Sequence, residues 1–312
     1  MAAHASPDGI RPAGLGPLIR MRQLNIQQLP AHPDLASQQS APADIQLFVQ
    51  SALEEAVAFM EGYLPHHFQA RDGVKSSPPS AVGVTVLQGD IKGSELPIEV
   101  RQPGTSNEAW FARLSVHENV AKEGTASWEE FEQGLRIDHS KHEKDYTPGV
   151  VDAHEVMNWD SELVEPQRKI GDWEDVRVCL MEMQHHIPAP LNNRVFPVLV
   201  ISGKRNNENL VMKDKEFLVV QIPVSTKGLP NAKYHDVSKV TEGMYVSIEK
   251  CELVEEGSKV QWQMATASDA RGSLPMWAQR MGVPGAIVKD VGLFIDWCAK
   301  NRRGRSTGNA GR

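Results

Sequence analysis

Arg113 and His117 stand four residues apart in the run Trp110-Phe-Ala-Arg-Leu-Ser-Val-His117. In a β-strand that spacing turns both side chains to one face. With Asp160 and Tyr245 they form a pool of ionisable groups from which a proton-moving cyclase could draw. Each of the four, taken singly, also fits an ordinary strand or surface position. His139, His142 and Glu143, with His185 and His186 further on, invite a metal reading. His139 and His142 are three apart on a short helix and can share a face. They lack a zinc-binding spacing such as His-Glu-x-x-His, so no metal is expected. A polar, solvated helix face is the simpler expectation, and a pocket-facing His139 or His142 would be a general base.

Arg194 follows the Pro-rich turn 188–193 and opens the apolar run Val195–Ile201. A guanidinium in such a run needs an anionic or strongly polar partner. Glu182, which interrupts another apolar strand, is the expected internal acid, with a ligand group as the alternative. Trp262, flanked by Val260 and Met264, and Tyr245 are candidates to line a pocket, as is Trp277 at the start of the last helix. Met181, Met183, Met244, Met264 and Met276 supply adaptable apolar surface for a flexible ligand. The candidate ligand-binding set is therefore Glu182, Arg194, Tyr245, Trp262, Met264 and Trp277. The candidate catalytic set is Arg113, His117, His139 and Arg194. No Walker loop, dinucleotide fingerprint or Gly-x-Ser-x-Gly elbow is present, so no cofactor is expected.

The elements that would position these groups follow from periodicity. Asp44 caps a helix running to about Tyr63, with Phe48, Ala52, Phe59 and Tyr63 on one face. Residues 70–83 read as a loop. Strands are expected at 84–88, 96–100 and 109–117. Ser127-Trp-Glu-Glu130 is a capping box, and a second short helix follows at 138–146. From residue 150 the period changes, with strands at 150–158, 175–185, 194–201, 215–224, 243–254 and 258–268. Leu218, Val220, Ile222 and Val224 share a face. Val246 and Ile248 oppose Tyr245, Ser247 and Glu249. This alternation predicts antiparallel strands with one dry and one wet face. A terminal helix at 285–299 carries the stripe Ile287, Val291, Phe294 and Cys298. A curved sheet gripping one such helix cannot fill its whole inner face, so a cavity is expected between them.

Residues 1–43, rich in Pro, Ala, Gln and Gly, read as a disordered leader, and 301–312 as a disordered basic tail. Arg11, Arg20 and Arg22 give the leader a basic bias, but Pro7, Pro12 and Pro17 spoil a targeting helix. The intervening 44–300 forms one domain. The chain has 312 residues and a net charge of −7, which argues against nucleic acid as the main partner. Cys179, Cys251 and Cys298 are too scattered for a disulfide framework. With no signal peptide or spanning helix in view, a cytoplasmic location is expected.

The order of elements resembles the START-like helix-grip fold, the lipid-transfer branch of a larger superfamily. Pro188-Ala-Pro-Leu-Asn-Asn-Arg-Val-Phe196 is similar to the START segment in which a Pro-rich turn leads to Arg and an aromatic residue. Ser268-Asp-Ala-Arg-Gly-Ser-Leu-Pro-Met-Trp277 is similar to the turn that leads into the C-terminal helix, with Arg271 where a small residue is more usual. The runs Trp110–His117, Ser127–Phe131 and Phe217–Pro223 resemble more particularly a fungal family of largely uncharacterised START-like proteins. The resemblance implies an α+β helix-grip fold, a curved antiparallel sheet around a long C-terminal helix with an internal hydrophobic cavity. It implies a hydrophobic ligand: a lipid, sterol, acyl or polyketide chain. The first functional expectation is binding or transfer of that ligand. The alternative is a cofactor-free enzyme of secondary metabolism that assists polyketide cyclisation or release, for example as a pyrone. A polyketide synthase or a membrane surface would then be a transient partner.

Overall fold

The computed structural model describes residues 15–101, 107–163, 168–205 and 215–309. Asp44 opens the first helix as expected, accepting from the Leu47 amide at 3.0 Å. This helix, α1 (Ile45–Val57), passes through a π-helical segment (Ala58–Tyr63) into the short α2 (Leu64–His67). Ten strands follow: β1 (Gln69–Lys75), β2 (Val84–Ile91), β3 (Glu108–Glu118), β4 (Val150–Asn158), β5 (Trp173–His185), β6 (Asn193–Arg205), β7 (Glu216–Pro223), β8 (Val240–Glu242), β9 (Met244–Val254) and β10 (Lys259–Asp269). Between β3 and β4 lie α3 (Trp128–Phe131), a π-turn (Glu132–Arg136) and α4 (His139–Tyr146). The chain then reaches α5 (Met276–Asn309).

All ten strands form one sheet in the order β1-β2-β3-β10-β9-β7-β6-β5-β4, with β8 beside β6 in parallel. Two antiparallel meanders, β1–β3 and β4–β10, are joined where β3 pairs with β10. The crossing between them carries α3 and α4 over the same sheet face as α5. Val260, Trp262 and Met264 on β10 meet Phe131, Ile287, Val291 and Phe294 on this inner face. On the outer face, Leu218, Val220, Ile222, Val246 and Ile248 pack against Phe48, Val49, Ala52, Leu53 and Phe59 of the first helix and its π segment. Among the described residues no helix is long and apolar enough to cross a membrane.

Four expectations are corrected. Over its central strands the sheet has no solvated face: both faces are covered, and the polar alternates Tyr245, Ser247 and Glu249 turn inward beneath α5. Residues 70–83 are not all loop, because β1 pairs with β2 through a register shift between Ala70 and Val74 that masks the alternation. Residues 96–100 form a turn, in which the Val100 amide donates to the Pro97 carbonyl at 3.1 Å. The terminal helix starts nine residues before the expected one and runs on to Asn309. Arg302 thereby meets Glu130 at 2.8 Å instead of lying in a loose tail.

The supposed leader is also part of the fold from Leu15 onward. Leu15, Ile19, Leu24, Leu29 and Leu35 are buried in the outer core. Leu24 donates to the Pro223 carbonyl at 2.8 Å and accepts from Ser225 at 2.8 Å. Arg20 is buried between two acids, Glu108 at 3.0 Å and Glu55 at 3.9 Å. The segment is extended, broken by 3-10 turns at Ile26–Gln28 and Pro33–Leu35. Its buried residues therefore follow neither a helical nor a strand period, and a periodicity argument passes over them. Residues 1–14 lie outside the described residues.

Candidate functional site

The inner face encloses a cavity of about 240 Å³ between β5–β6–β7–β9–β10, α4 and α5. Strand alternation decides which side chains reach it. Thr266 pairs with Ser247 and Ser247 with Gln221, so one row of inward residues crosses β10, β9 and β7. Met183 pairs with Phe196 two rows further out. Met183, Phe196, Val198, Met264, Val283 and Ile287 make the apolar wall. Glu143 and Thr147 beyond α4, His185, Gln221, Tyr245 and Asp290 make the polar part. A second space of about 260 Å³ shares Ser268 and Val283 with the first, and reaches Met21, Glu108 and Arg280.

α4 has the sequence His-Ser-Lys-His-Glu-Lys-Asp-Tyr and was expected to face solvent. It lies on the inner face with His139 and Ser140 buried. The Nδ1 of His139 faces the Leu135 carbonyl at 2.6 Å and its Nε2 faces the Gln221 amide nitrogen at 3.1 Å. Because a carbonyl only accepts, Nδ1 carries the proton and Nε2 accepts from Gln221. One helical turn on, Glu143 Oε2 is 3.7 Å from His139 Nε2. The Glu143 side chain keeps 22 % of its surface accessible, toward the cavity.

Burial, with Asp290 and Glu249 nearby, pushes the Glu143 carboxyl up to about 8. Burial likewise pushes Asp290 up to about 6, with Glu249 adding to the rise and Arg113 and Lys289 opposing it. Burial also raises the phenols of Tyr146 and Tyr245 above their ordinary value. It lowers His185 to about 4. These directions fix a sign. Unfolding exposes Glu143 to water, where it ionises near pH 4.3. The folded form is therefore favoured below that pH, and the advantage is lost as pH rises through about 8. Glu143→Gln should thus gain thermal stability relative to the unmodified chain as pH rises from about 4.5 to 8. Melting curves of both proteins across that range test this; a constant difference would show that Glu143 is solvated.

The structure places the sequence candidates unevenly. Tyr245 and Met264 line the cavity. Arg113 and Glu249 flank Met264 on neighbouring strands and meet at 3.4 Å behind it. The Arg113 guanidinium stacks 3.8 Å from the Trp262 ring centre. Trp262 is thus a floor residue packed with Phe131 and Phe294, not a wall. His117 shares the inner face but is sealed under Phe131 and Trp262, its Nε2 2.9 Å from Ser115 Oγ. Burial and the Arg113 charge lower it to about 4. Asp160 is elsewhere, paired with Arg168 at 2.8 Å. The side chain of Trp277 lies outside the described residues.

Arg194 is buried as expected, but its partner is not Glu182. Its guanidinium donates to the carbonyls of Ala270 at 2.6 Å, Arg271 at 3.3 Å and Asn192. It ties the start of β6 to the turn that leads into α5. Three carbonyl oxygens serve as the polar partner that burial demands. Glu182 lies on the other sheet face, where it accepts from the backbone amides of Lys233 at 2.8 Å and Tyr234 at 3.3 Å. Arg271 adopts a left-handed conformation (φ 48°) and reaches Gln23 of the N-terminal segment at 3.2 Å. Its departure from a small residue is thus matched by a contact to that segment.

Sequence reasoning passed over Gln221 and Asp290, and read Glu143 as solvated. A signal existed for Asp290: it stands three residues after Ile287 and four before Phe294, a carboxylate on the buried stripe of the helix.

A family model described as "Protein of unknown function (DUF3074)" matches residues 110–298. An uncharacterised protein of Schizosaccharomyces pombe is 24% identical over 198 residues, 63% of this chain and 71% of that one. The crystal structure of human STARD10 superposes with a TM-score of 0.51 at 12% identity, covering 88% of this chain and 87% of that one. Human StAR-related lipid transfer protein 5 does so with a TM-score of 0.50 at 13% identity, covering 83% and 100%. At these identities the likeness is one of fold, and it is the START helix-grip fold.

Proposed function

This chain belongs to the DUF3074 family, and from that premise we propose that it binds a hydrophobic small molecule in the cavity between α5 and the sheet. The observation that carries the reading is the cavity itself: about 240 Å³, walled by Met183, Phe196, Val198, Met264 and Ile287, with polar groups gathered on one side. Apolar walls with a few convergent polar groups are the usual composition of a ligand site. The fold shared with a human lipid transfer protein supports the same reading. The size sits just below the range of about 300–1,000 Å³ common for drug-sized ligands. The ligand is accordingly a small ring system or a short chain, and a longer chain extends into the adjoining space past Ser268 and Val283.

Ala286 offers a direct test, because it lines the cavity from an exposed position on α5. Ala286→Trp should cut affinity for an apolar fluorescent probe by about tenfold or more while shifting the melting temperature little, since no buried contact is removed. Undiminished probe binding in this variant would place the ligand elsewhere.

A second reading, assistance of polyketide cyclisation in the same pocket, is favoured by the two acids. A carboxyl near 8 and another near 6 match the needs of a general acid and a general base at neutral pH. Incubation with a polyketide thioester tests it: product formed faster than in buffer and lost in Glu143→Gln supports the enzyme, and no acceleration removes it.

A further inference from the structure

We propose that this cavity selects hydrophobic molecules that carry a cationic head, an amine or a quaternary ammonium. The inference rests on the ligand-binding reading above and names the ligand class. Two carboxyl groups line the cavity, Glu143 on α4 and Asp290 on α5, and a third, Glu249 on β9, lies on the same sheet face behind Met264. Among the described residues one guanidinium, Arg113 on β3, stands on this face, stacked on Trp262 and ion-paired with Glu249. Among the described residues no lysine or arginine lies within 4 Å of Glu143 or Asp290. The remaining titratable groups supply no compensating charge. His139 uses Nε2 to accept, His185 and His117 are held neutral by burial, and Tyr146 and Tyr245 keep their protons. Lys289 is exposed on the far side of α5 from the stripe and only attenuates Asp290.

An independent observation points the same way. Ser247 is 1% exposed, and its hydroxyl makes no well-formed hydrogen bond, with the Tyr245 phenol beside it. It sits in the inner row between Gln221 and Thr266, both of which line the cavity. Gln221 donates one amide N–H to His139 Nε2. Glu249 Oε2 is likewise buried without a partner. The aromatic rings of Tyr245 and Phe196 stand beside Glu143 and Asp290, while the unpartnered donors of this face, Arg113 Nε and Nη1 and Trp262 Nε1, lie beneath Met264 outside the cavity lining. Carboxyl groups without a basic partner and aromatic faces together complement a cation. Burial keeps both carboxyls protonated to higher pH than in water, which makes them weaker acids, and a cation placed beside them would favour their ionised forms.

The test uses calorimetry on the full chain with three probes of equal tail: octyltrimethylammonium, octan-1-ol and octanoate. The ammonium probe cannot titrate, so any pH dependence belongs to the protein. It should bind about tenfold or more tighter than octanol at pH 8. Its affinity should fall about tenfold from pH 7 to pH 5 as Asp290 takes up a proton. Glu143→Gln and Asp290→Asn should each erase most of the preference for ammonium over alcohol. The pH series on the unmodified chain decides the matter even where a variant fails to fold. Equal affinity for ammonium and alcohol, or tighter ammonium binding at acid pH, overturns the inference but keeps the pocket. Preference for octanoate overturns it in favour of Arg113. Failure of all three probes to bind overturns the ligand-binding reading itself.

Discussion

A chain that begins at Asp44 is expected not to reach the native state. The missing segment buries Leu15, Ile19, Leu24, Leu29 and Leu35 against the outer face of the sheet. Each such side chain contributes roughly 1.5–3 kcal/mol on burial, so the five together amount to something on the order of 10 kcal/mol before the ordering entropy of the segment is subtracted. Domain stabilities are about 5–15 kcal/mol. Removal also uncovers apolar side chains that face the segment, among them Ile222, Val224 and Leu229. The truncated chain should therefore be insoluble, or compact without fixed tertiary packing, with near-ultraviolet circular dichroism lost and far-ultraviolet signal retained. A shortened chain that melts within a few degrees of the full one would show that the segment is only laid on the surface.

Arg20→Met should destabilise the fold by about 3–5 kcal/mol, the range seen when one partner of a buried ion pair is removed. Arg20 is 1% exposed and donates to Glu108 Oε2 at 3.0 Å, to the Gly16 carbonyl at 2.8 Å, and stands 3.9 Å from Glu55. Both acids are also held by backbone amides: Glu55 by Leu18 and Ile19 at 2.9 and 2.8 Å, and Glu108 by Met21 at 2.8 Å. Without the guanidinium two buried carboxylates face each other across an apolar side chain. Adding Glu108→Gln should then restore part of the loss, because one of the stranded charges is removed. Urea unfolding of the single and double variants measures this; a midpoint unmoved by Arg20→Met would mean the pair is effectively solvated.

The main β-meander was legible because its strands alternate cleanly, and the expected ranges from 150 to 268 fall within a few residues of those observed. The expectation of a cavity held for a geometric reason, since one helix cannot fill a curved ten-stranded sheet. What alternation could not supply was the meaning of the polar alternates. Ser247 and Glu249 read as solvent-facing because polar residues opposite apolar ones usually are, although Tyr245 in the same row was expected to line a pocket. Over the central strands of this fold both faces are covered, and the polar row belongs to a cavity. The same ambiguity hid Glu143, whose helix is polar throughout and gives no stripe to mark its inner side. Arg194 was placed correctly as buried, yet its partner was misjudged. Backbone carbonyls in a turn carry no side-chain signature, so a residue-type argument looks for an acid and passes over them. The N-terminal segment was missed because isolated leucines in an extended strap have no period to detect.

That strap has a consequence for how the protein is made. Leu24 bridges to Val224, and Gln23 meets Arg271, 248 residues later in the chain. Contacts of such separation are formed late, because each must close a long loop before it is rewarded. On a ribosome adding about 5–20 residues per second, Gln23 emerges tens of seconds before the residue it binds exists. The first described part of the chain to be synthesised is therefore among the last to be seated. Throughout that interval its leucines, and the sheet face they will cover, are open to chaperones.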